Sequence, residues 1–275
     1  QTVQTPYYIF KTVILFLVTF FILTTIILQH LYLWKPKDMK DFYNDKPLFF
    51  AHRGYFKNNP ENTLSSFNAA INKGARAIEV DVIMTKDNQI ICSHNYDMSI
   101  ETELQEDASK IEYAKIQKAN IFTNNKEEQE HIPKLIDVLK LIPDETKVNI
   151  EVKTKKLGDI SIARKVVETV KKEKAQNRVL ISSFNPLLLW YIKWLDKKLR
   201  TGFLYDNPKL LFLKNLIHPD CLHPNERLVS KNLVKYCHDR GHYINVWTAN
   251  NRSSIQWLIE LEVDGVITDN PEFFI

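Results

Sequence analysis

Short apolar runs alternate with helix-like stretches from residue 48 onward, and this alternation constrains the fold more than any other feature of the chain. The runs lie at 48–51, 77–84, 148–152, 179–183, 202–205, briefly at 221–222, 244–248 and 265–268. Helix candidates fill most of the gaps, at 64–72, 160–172, 186–195, 231–240 and 253–260. Pro60, Glu61, Asn62 and Thr63 look like a cap before the first of these. Gly74 and Gly241 follow helices, where a C′ glycine is favoured. Eight strands alternating with helices over about 230 residues define an α/β class and predict a (β/α)8 TIM barrel. An open doubly wound sheet is the alternative.

One interruption adds to this plan. Thr85, Lys86, Asp87 and Asn88 are turn-like and are followed by another strand run at 89–93. The second barrel strand is therefore expected to continue into a hairpin extension whose return arm carries His94. Residues 101–130 are charged and irregular, and read as an excursion over the barrel mouth with solvated charges.

The N-terminal part is of another kind. No charge occurs from Thr12 to Leu28, and apolar character continues to Trp34. Roughly 20 apolar residues are enough to cross a bilayer. Tyr7, Tyr8, Tyr32 and Trp34 bracket the stretch as interfacial aromatics do. Residues 1–34 are thus expected to form a transmembrane anchor, 35–46 a polar juxtamembrane linker and 47–275 the barrel. A cleaved signal peptide is the competing reading, although no small-x-small cleavage site follows the run. A buried core helix fits least well, since nothing polar gives the segment a solvent face. Lys35, Lys37 and Lys40 follow the span and Lys11 precedes it, which leans the barrel toward the cytoplasmic face.

Composition removes several function classes. Net charge is only +4 and no basic block is interleaved with aromatics, so nucleic acid is not indicated as a partner. With 6 glycines and no glycine-rich loop, a Walker or Rossmann nucleotide site is not expected. Cys92, Cys221 and Cys237 form no CxxC pair, which suggests three packed free thiols.

In a TIM barrel the active site lies where strands end and the following loops begin. Here the first strand ends in His52-Arg53, the second carries Glu79 and Asp81, and the third Glu151 and Lys153. Later strands end in Ser182-Ser183-Phe184, Tyr205-Asp206, His223, Trp247-Thr248 and Thr268-Asp269. The opposite ends carry no comparable set. Side chains at i and i+2 share a strand face, so Glu79 and Asp81 point one way while Ile78, Val80 and Val82 point toward the helices. Three carboxylates converging in one cleft repel strongly, and a hard divalent cation, Mg²⁺ or Ca²⁺, relieves this. Arg53 and Lys153 suit a phosphate beside it. Taken singly, each feature has a plainer reading: an ion pair, a packed histidine, a rim aromatic. Those plainer readings stand for His30, His131, His218, His238 and His242; for His52 and His94 the joint pattern outweighs them.

The chain from about Leu48 onward resembles the glycerophosphodiester phosphodiesterase family. The similarity runs in order through AHRGYFKNNPENTLSSFNAAINKGARAIEVDVIMTKDNQIICSH, IPKLIDVL, VNIEVK, VLISSFNPLLL, LHP, INVWTAN and VDGVITDNP. It implies a divalent-metal-dependent hydrolase that cleaves glycerophosphodiesters to glycerol 3-phosphate and an alcohol. By position, it implies Glu79, Asp81 and Glu151 as metal ligands and His52 and His94 as the acid/base pair. It implies Arg53 and Lys153 as phosphate contacts, and Trp247 as a contact to the organic part of the substrate. Two departures stand out: Asn95 replaces the family's usual Asp after the second histidine, and Ser99-Ile100-Glu101-Thr102 replaces an Arg-Thr-Thr-like segment. Both fall where the substrate mouth is shaped. An anchored barrel could instead take membrane lysophospholipids, as a lysophospholipase D; a related barrel phospholipase that forms cyclic phosphates is a further alternative. A non-catalytic barrel that binds lipid headgroups is the alternative of another class.

Overall fold

A computed structural model of the chain describes residues 4–44, 46–122 and 130–273. Its core is a sheet of β1 (Leu48–Ala51), β2 (Ala77–Met84), β3 (Ile90–Cys92), β4 (Lys147–Val152), β5 (Val179–Ser183), β6 (Arg200–Tyr205), β7 (Cys221–Pro224), β8 (Tyr243–Val246) and β9 (Gly265–Thr268). The strand order is β1-β9-β8-β7-β6-β5-β4-β2-β3, and β1 also pairs with β2. Eight parallel strands therefore close into a TIM barrel. The antiparallel β3 is the expected hairpin arm, with Val82 opposite Cys92.

The helices are α1 (Gln4–Tyr32), α2 (Leu64–Asn72), α3 (Tyr113–Ile116), α4 (Leu135–Leu141), α5 (Ser161–Lys172), α6 (Pro186–Leu195), α7 (Lys214–Ile217), α8 (Lys231–Asp239) and α9 (Arg252–Glu260). The short α3, α4 and α7 have too few turns for their periodicity to stand out in the sequence. The amphipathic α5 buries Ile162, Ala163, Val166, Val167 and Val170 against the barrel. Each buried Val or Ile contributes about 1.5–3 kcal/mol before chain entropy is subtracted. Thr63 caps α2 by accepting from the Ser66 amide, as the cap-like sequence suggested.

Alternation sorts the strand residues. Ile78, Val80 and Val82 join the helix-facing core. Inward positions change from apolar at the base to polar at the top: Phe50 then His52, Ala77 then Glu79 and Asp81, Ile267 then Asp269. Gly202 serves this interior directly, because a Cβ there would meet His223 Nε2 at 2.4 Å.

Within the stretch expected as a polar linker, 35–46, residues 39–43 pack against the base of the barrel. Met39, Phe42 and Tyr43 are buried against Leu48, Phe50, Ala77, Leu180, Cys221 and Ile267. The i, i+3, i+4 spacing of these three side chains puts them on one face of a turn, which the surrounding charges mask. Tyr43 stacks on Tyr243 at 4.9 Å and donates to Asn245 Oδ1 at 2.8 Å. Before this plug, α1 stands clear of the barrel, with an apolar stretch Tyr8–Tyr32 of 25 residues that the protein does not bury. It is held at its C-terminal end, where His218 Nε2 donates to the His30 carbonyl at 2.9 Å and Trp34 stacks on His218 at 4.5 Å.

The excursion after β3 also differs from a wholly solvated segment. Ile83, Ile91, Met98, Ala108, Ile111, Tyr113, Ile116, Ile121 and Ile132 form an apolar cluster of their own. Residues 123–129 of the expected excursion lie outside the described residues.

Candidate active site

All the residues singled out at the strand ends fall on the C-terminal face of the barrel. At the end of β1, the His52 amide donates to the Thr268 carbonyl at 3.0 Å. His52 Nδ1 lies 2.5 Å from Asp269 Oδ1, and Nε2 lies 3.9 Å from Glu79 Oε2. Asp269 is clamped in turn by Asn250, which donates to its second oxygen and accepts from its amide. Burial works to lower the His52 pKa, and the Asp269 hydrogen bond with the Glu79 charge overcomes it, so the imidazole sits above its ordinary value.

Arg53 takes a left-handed backbone, φ 54°, a conformation that costs an L-residue roughly 1–2 kcal/mol. It is held there from both sides. Its amide donates to Glu79 Oε2 at 3.1 Å and its carbonyl accepts from the Asn62 amide at 3.0 Å. Gly54 follows at φ +87°, where a Cβ would strike the Ser66 backbone at 2.6 Å. The guanidinium then reaches Glu61 Oε1 at 2.8 Å and Asp81 Oδ2 at 3.0 Å.

Register brings the carboxylates together. Asp81 of β2 pairs directly with Glu151 of β4, one strand away. One oxygen from each of Glu79, Asp81 and Glu151 lies within 4.8 Å of the others, and all three residues are buried. Burial and the neighbouring Asp81 push the Glu79 carboxyl far above the usual carboxylate range. Burial also works to raise Asp81, but Lys153 and Arg53 overcome it and hold that group low. Lys153 Nζ lies 3.0 Å from Asp81 Oδ1 and also contacts Glu151. Among the described residues, Glu79 Oε1 has no hydrogen-bond partner although it is fully buried. Crowded buried acceptors with one oxygen orphaned fit a hard divalent cation.

His94 follows β3 on the same face, with Nδ1 3.1 Å from Asn95 Oδ1. Asn95 Nδ2 donates to Glu101 Oε1 at 3.2 Å, and Ser93 Oγ donates to Glu101 Oε2 at 2.9 Å. Burial and then Lys153 hold the His94 pKa below its ordinary value. Trp247 donates from Nε1 to the His223 carbonyl at 2.7 Å, and Phe184 packs edge-on against its ring at 5.3 Å.

Four of these residues carry no site signal in the sequence. Asp269 was visible as a strand end, but its pairing with His52 depends on barrel closure. Glu61 and Asn62 lie in the cap-like stretch, but the cap is Thr63, and they hold Arg53 and Asp81. Glu101 belongs to a charged stretch expected to be solvated, and lies half-buried behind Asn95.

A closed parallel barrel gathers two imidazoles, two cations and three buried carboxylates at the C-terminal end of its strands, the end where TIM-barrel enzymes carry their active sites. Residues 52–273 match the Glycerophosphoryl diester phosphodiesterase family. The glycerophosphodiester phosphodiesterase of Caldanaerobacter subterraneus subsp. tengcongensis is 34% identical over 237 residues, covering 84% of this chain and 97% of that protein. The mouse protein named lysophospholipase D GDPD1 is 24% identical, covering 80% and 82%. Among solved structures, the glycerophosphodiester phosphodiesterase of Thermotoga maritima superposes with a TM-score of 0.69 at 27% identity, covering 84% and 97%. An Oleispira antarctica phosphodiesterase in complex with the product sn-glycerol-3-phosphate has the same fold, with a TM-score of 0.77 at 24% identity, covering 82% and 94%. The chain belongs to the glycerophosphoryl diester phosphodiesterase family, a family of phosphoric diester hydrolases.

Proposed function

We propose that this chain hydrolyses glycerophosphodiesters to sn-glycerol 3-phosphate and an alcohol, with Glu79, Asp81 and Glu151 as ligands of Mg²⁺ or Ca²⁺. The observation that carries the reading is the meeting of those three carboxylates within 4.8 Å, directly beside His52 and Arg53. Bound there, the divalent cation would offset the crowded negative charge and polarise the phosphoryl oxygens. Arg53 and Lys153 complement the remaining phosphate charge, the first as a fork and the second as a point charge.

His52 and His94 share the proton transfers. Asp269 accepts from His52 Nδ1, which leaves Nε2 free to exchange a proton beside the carboxylates. Asn95 serves His94 in the same way, because the Glu101 carboxylate takes the amide nitrogen and turns the amide oxygen toward Nδ1. One histidine takes a proton from the nucleophile, water or the neighbouring glycerol hydroxyl, and the other gives a proton to the departing alcohol oxygen. Such positioned groups contribute roughly 10²–10⁴-fold each. Trp247, with Phe184 against it, contacts the organic part of the substrate.

The apolar helix α1 serves as a membrane anchor in this reading, with Lys35, Lys37 and Lys40 on its cytoplasmic flank. Lysophospholipase D activity is the second reading, favoured by the apolar pair Phe184–Trp247 beside the site. The test is a substrate panel on the full chain with Mg²⁺ or Ca²⁺. Release of choline from glycerophosphocholine supports the first reading; turnover of lysophosphatidylcholine alone replaces it with the second.

A further inference from the structure

We propose that the flank of the barrel formed by α6 and α7 lies in the headgroup layer of the bilayer that α1 crosses, so that the domain rests on the membrane along that side. This rests on the reading of α1 as a membrane span.

The outward face of α6 is apolar where a barrel helix ordinarily presents polar groups to water. Leu187, Trp190 and Trp194 follow at spacings of three and four residues, which places them in one stripe along the helix. Trp190 is 50% exposed and Trp194 65%. The patch continues across the next connection, where Phe212 is 61% exposed and Leu216 is also open. Large contiguous apolar surface of this kind marks a contact site, and tryptophan favours the level where lipid meets water.

The occupant follows from what adjoins the patch. α6 packs on α7, and α7 packs on α1. The contact is fixed by His218, which immediately follows α7 and bonds the His30 carbonyl near the end of the span. A helix that crosses a bilayer therefore leaves it beside Leu216 and Phe212. The exposed Lys197, Lys198 and Lys209 flank the patch, where they complement anionic headgroups. At its other end the stripe starts at Leu187, three residues after Phe184, which packs on Trp247 at the catalytic face. Seated this way, the barrel turns one edge of its mouth toward the headgroup layer.

Hydroxyl-radical footprinting of the wild-type chain reconstituted in phosphatidylcholine–phosphatidylglycerol vesicles tests this without any substitution. Trp257, on α9 further round the barrel, is 42% exposed and acts as the internal reference. Exposure in the protein alone would oxidise Trp194 faster than Trp257. Seating on lipid inverts that order and slows Trp190 and Trp194 at least several-fold relative to Trp257. Brominated phosphatidylcholine then quenches Trp190 and Trp194 fluorescence in a chain carrying Trp34→Phe, Trp247→Phe and Trp257→Phe. Oxidation of Trp194 ahead of Trp257 in vesicles overturns the proposal. So does protection that vanishes as protein is diluted in lipid, since a second copy would then be the occupant. Extraction by alkaline carbonate separates the two ideas: a chain that washes off refutes the span, whereas a retained chain with open tryptophans refutes only the seating.

Discussion

His52 Nδ1 lies 2.5 Å from Asp269 Oδ1, and this contact joins the first strand of the barrel to the last. It follows from register: Ala51 pairs with Thr268, so the next residue of each strand meets its counterpart just above the sheet. In the proposed mechanism Asp269 positions His52 through this contact. Asp269→Asn is expected to lower kcat by about 10²-fold, within the usual range for a general acid or base, with little change in KM. Removing the charge that raises His52 also moves its limb of the pH–rate profile to lower pH.

Asn95→Asp is expected to do the opposite at the second imidazole. His94 is held below its ordinary pKa by burial and Lys153, and its hydrogen-bond partner is a neutral amide. A carboxylate there favours the imidazolium, and moves the His94 limb to higher pH by about one unit. The two variants together assign the roles. The histidine whose limb is the acidic one is the base, because it must lose its proton to work; the other is the acid.

The carboxylate cluster predicts a reversal of stability with metal. In the presence of a chelator, Glu79→Gln removes a buried carboxyl whose ionised form burial and Asp81 disfavour, and should raise Tm by a few degrees. Saturating Mg²⁺ or Ca²⁺ should stabilise the wild type by about 2.7 kcal/mol at a hundredfold excess over Kd, and the variant much less. Differential scanning calorimetry with and without metal reads both effects.

The plug at the barrel base predicts a stability effect far from the site. Phe42 is 1% exposed among Tyr43, Phe50 and the Arg200 guanidinium. Phe42→Ala should cost about 3–5 kcal/mol, the range for truncating a buried aromatic. A free linker would give less than about 0.5 kcal/mol, as surface substitutions do. Urea unfolding of the full chain followed by circular dichroism distinguishes them.

The barrel was legible because its strands are short, apolar and separated by helical patterns, and because inward polar residues gather at one end only. Glu79 and Asp81 could be placed on one face from alternation alone, and the structure keeps them there. What stayed hidden depends on contacts between distant parts of the chain. His52 and Asp269 are 217 residues apart and meet only when the sheet closes. Met39, Phe42 and Tyr43 look like isolated apolar residues in a charged segment until the open base of the barrel supplies their partners. Glu101 lies in a charged stretch, and nothing local signals that Asn95 and Ser93 would cover it.

Metal-dependent phosphodiester hydrolysis by His52 and His94 can be followed by phosphorus NMR of glycerophosphocholine with the full chain. With Mg²⁺ or Ca²⁺ the substrate resonance should give way to that of glycerol 3-phosphate. The conversion should stop with chelator and fall at least about 10²-fold in His52→Ala and in His94→Ala. Absence of conversion by wild-type chain with either ion, or undiminished conversion by both alanine variants, would rule out this chemistry at His52 and His94.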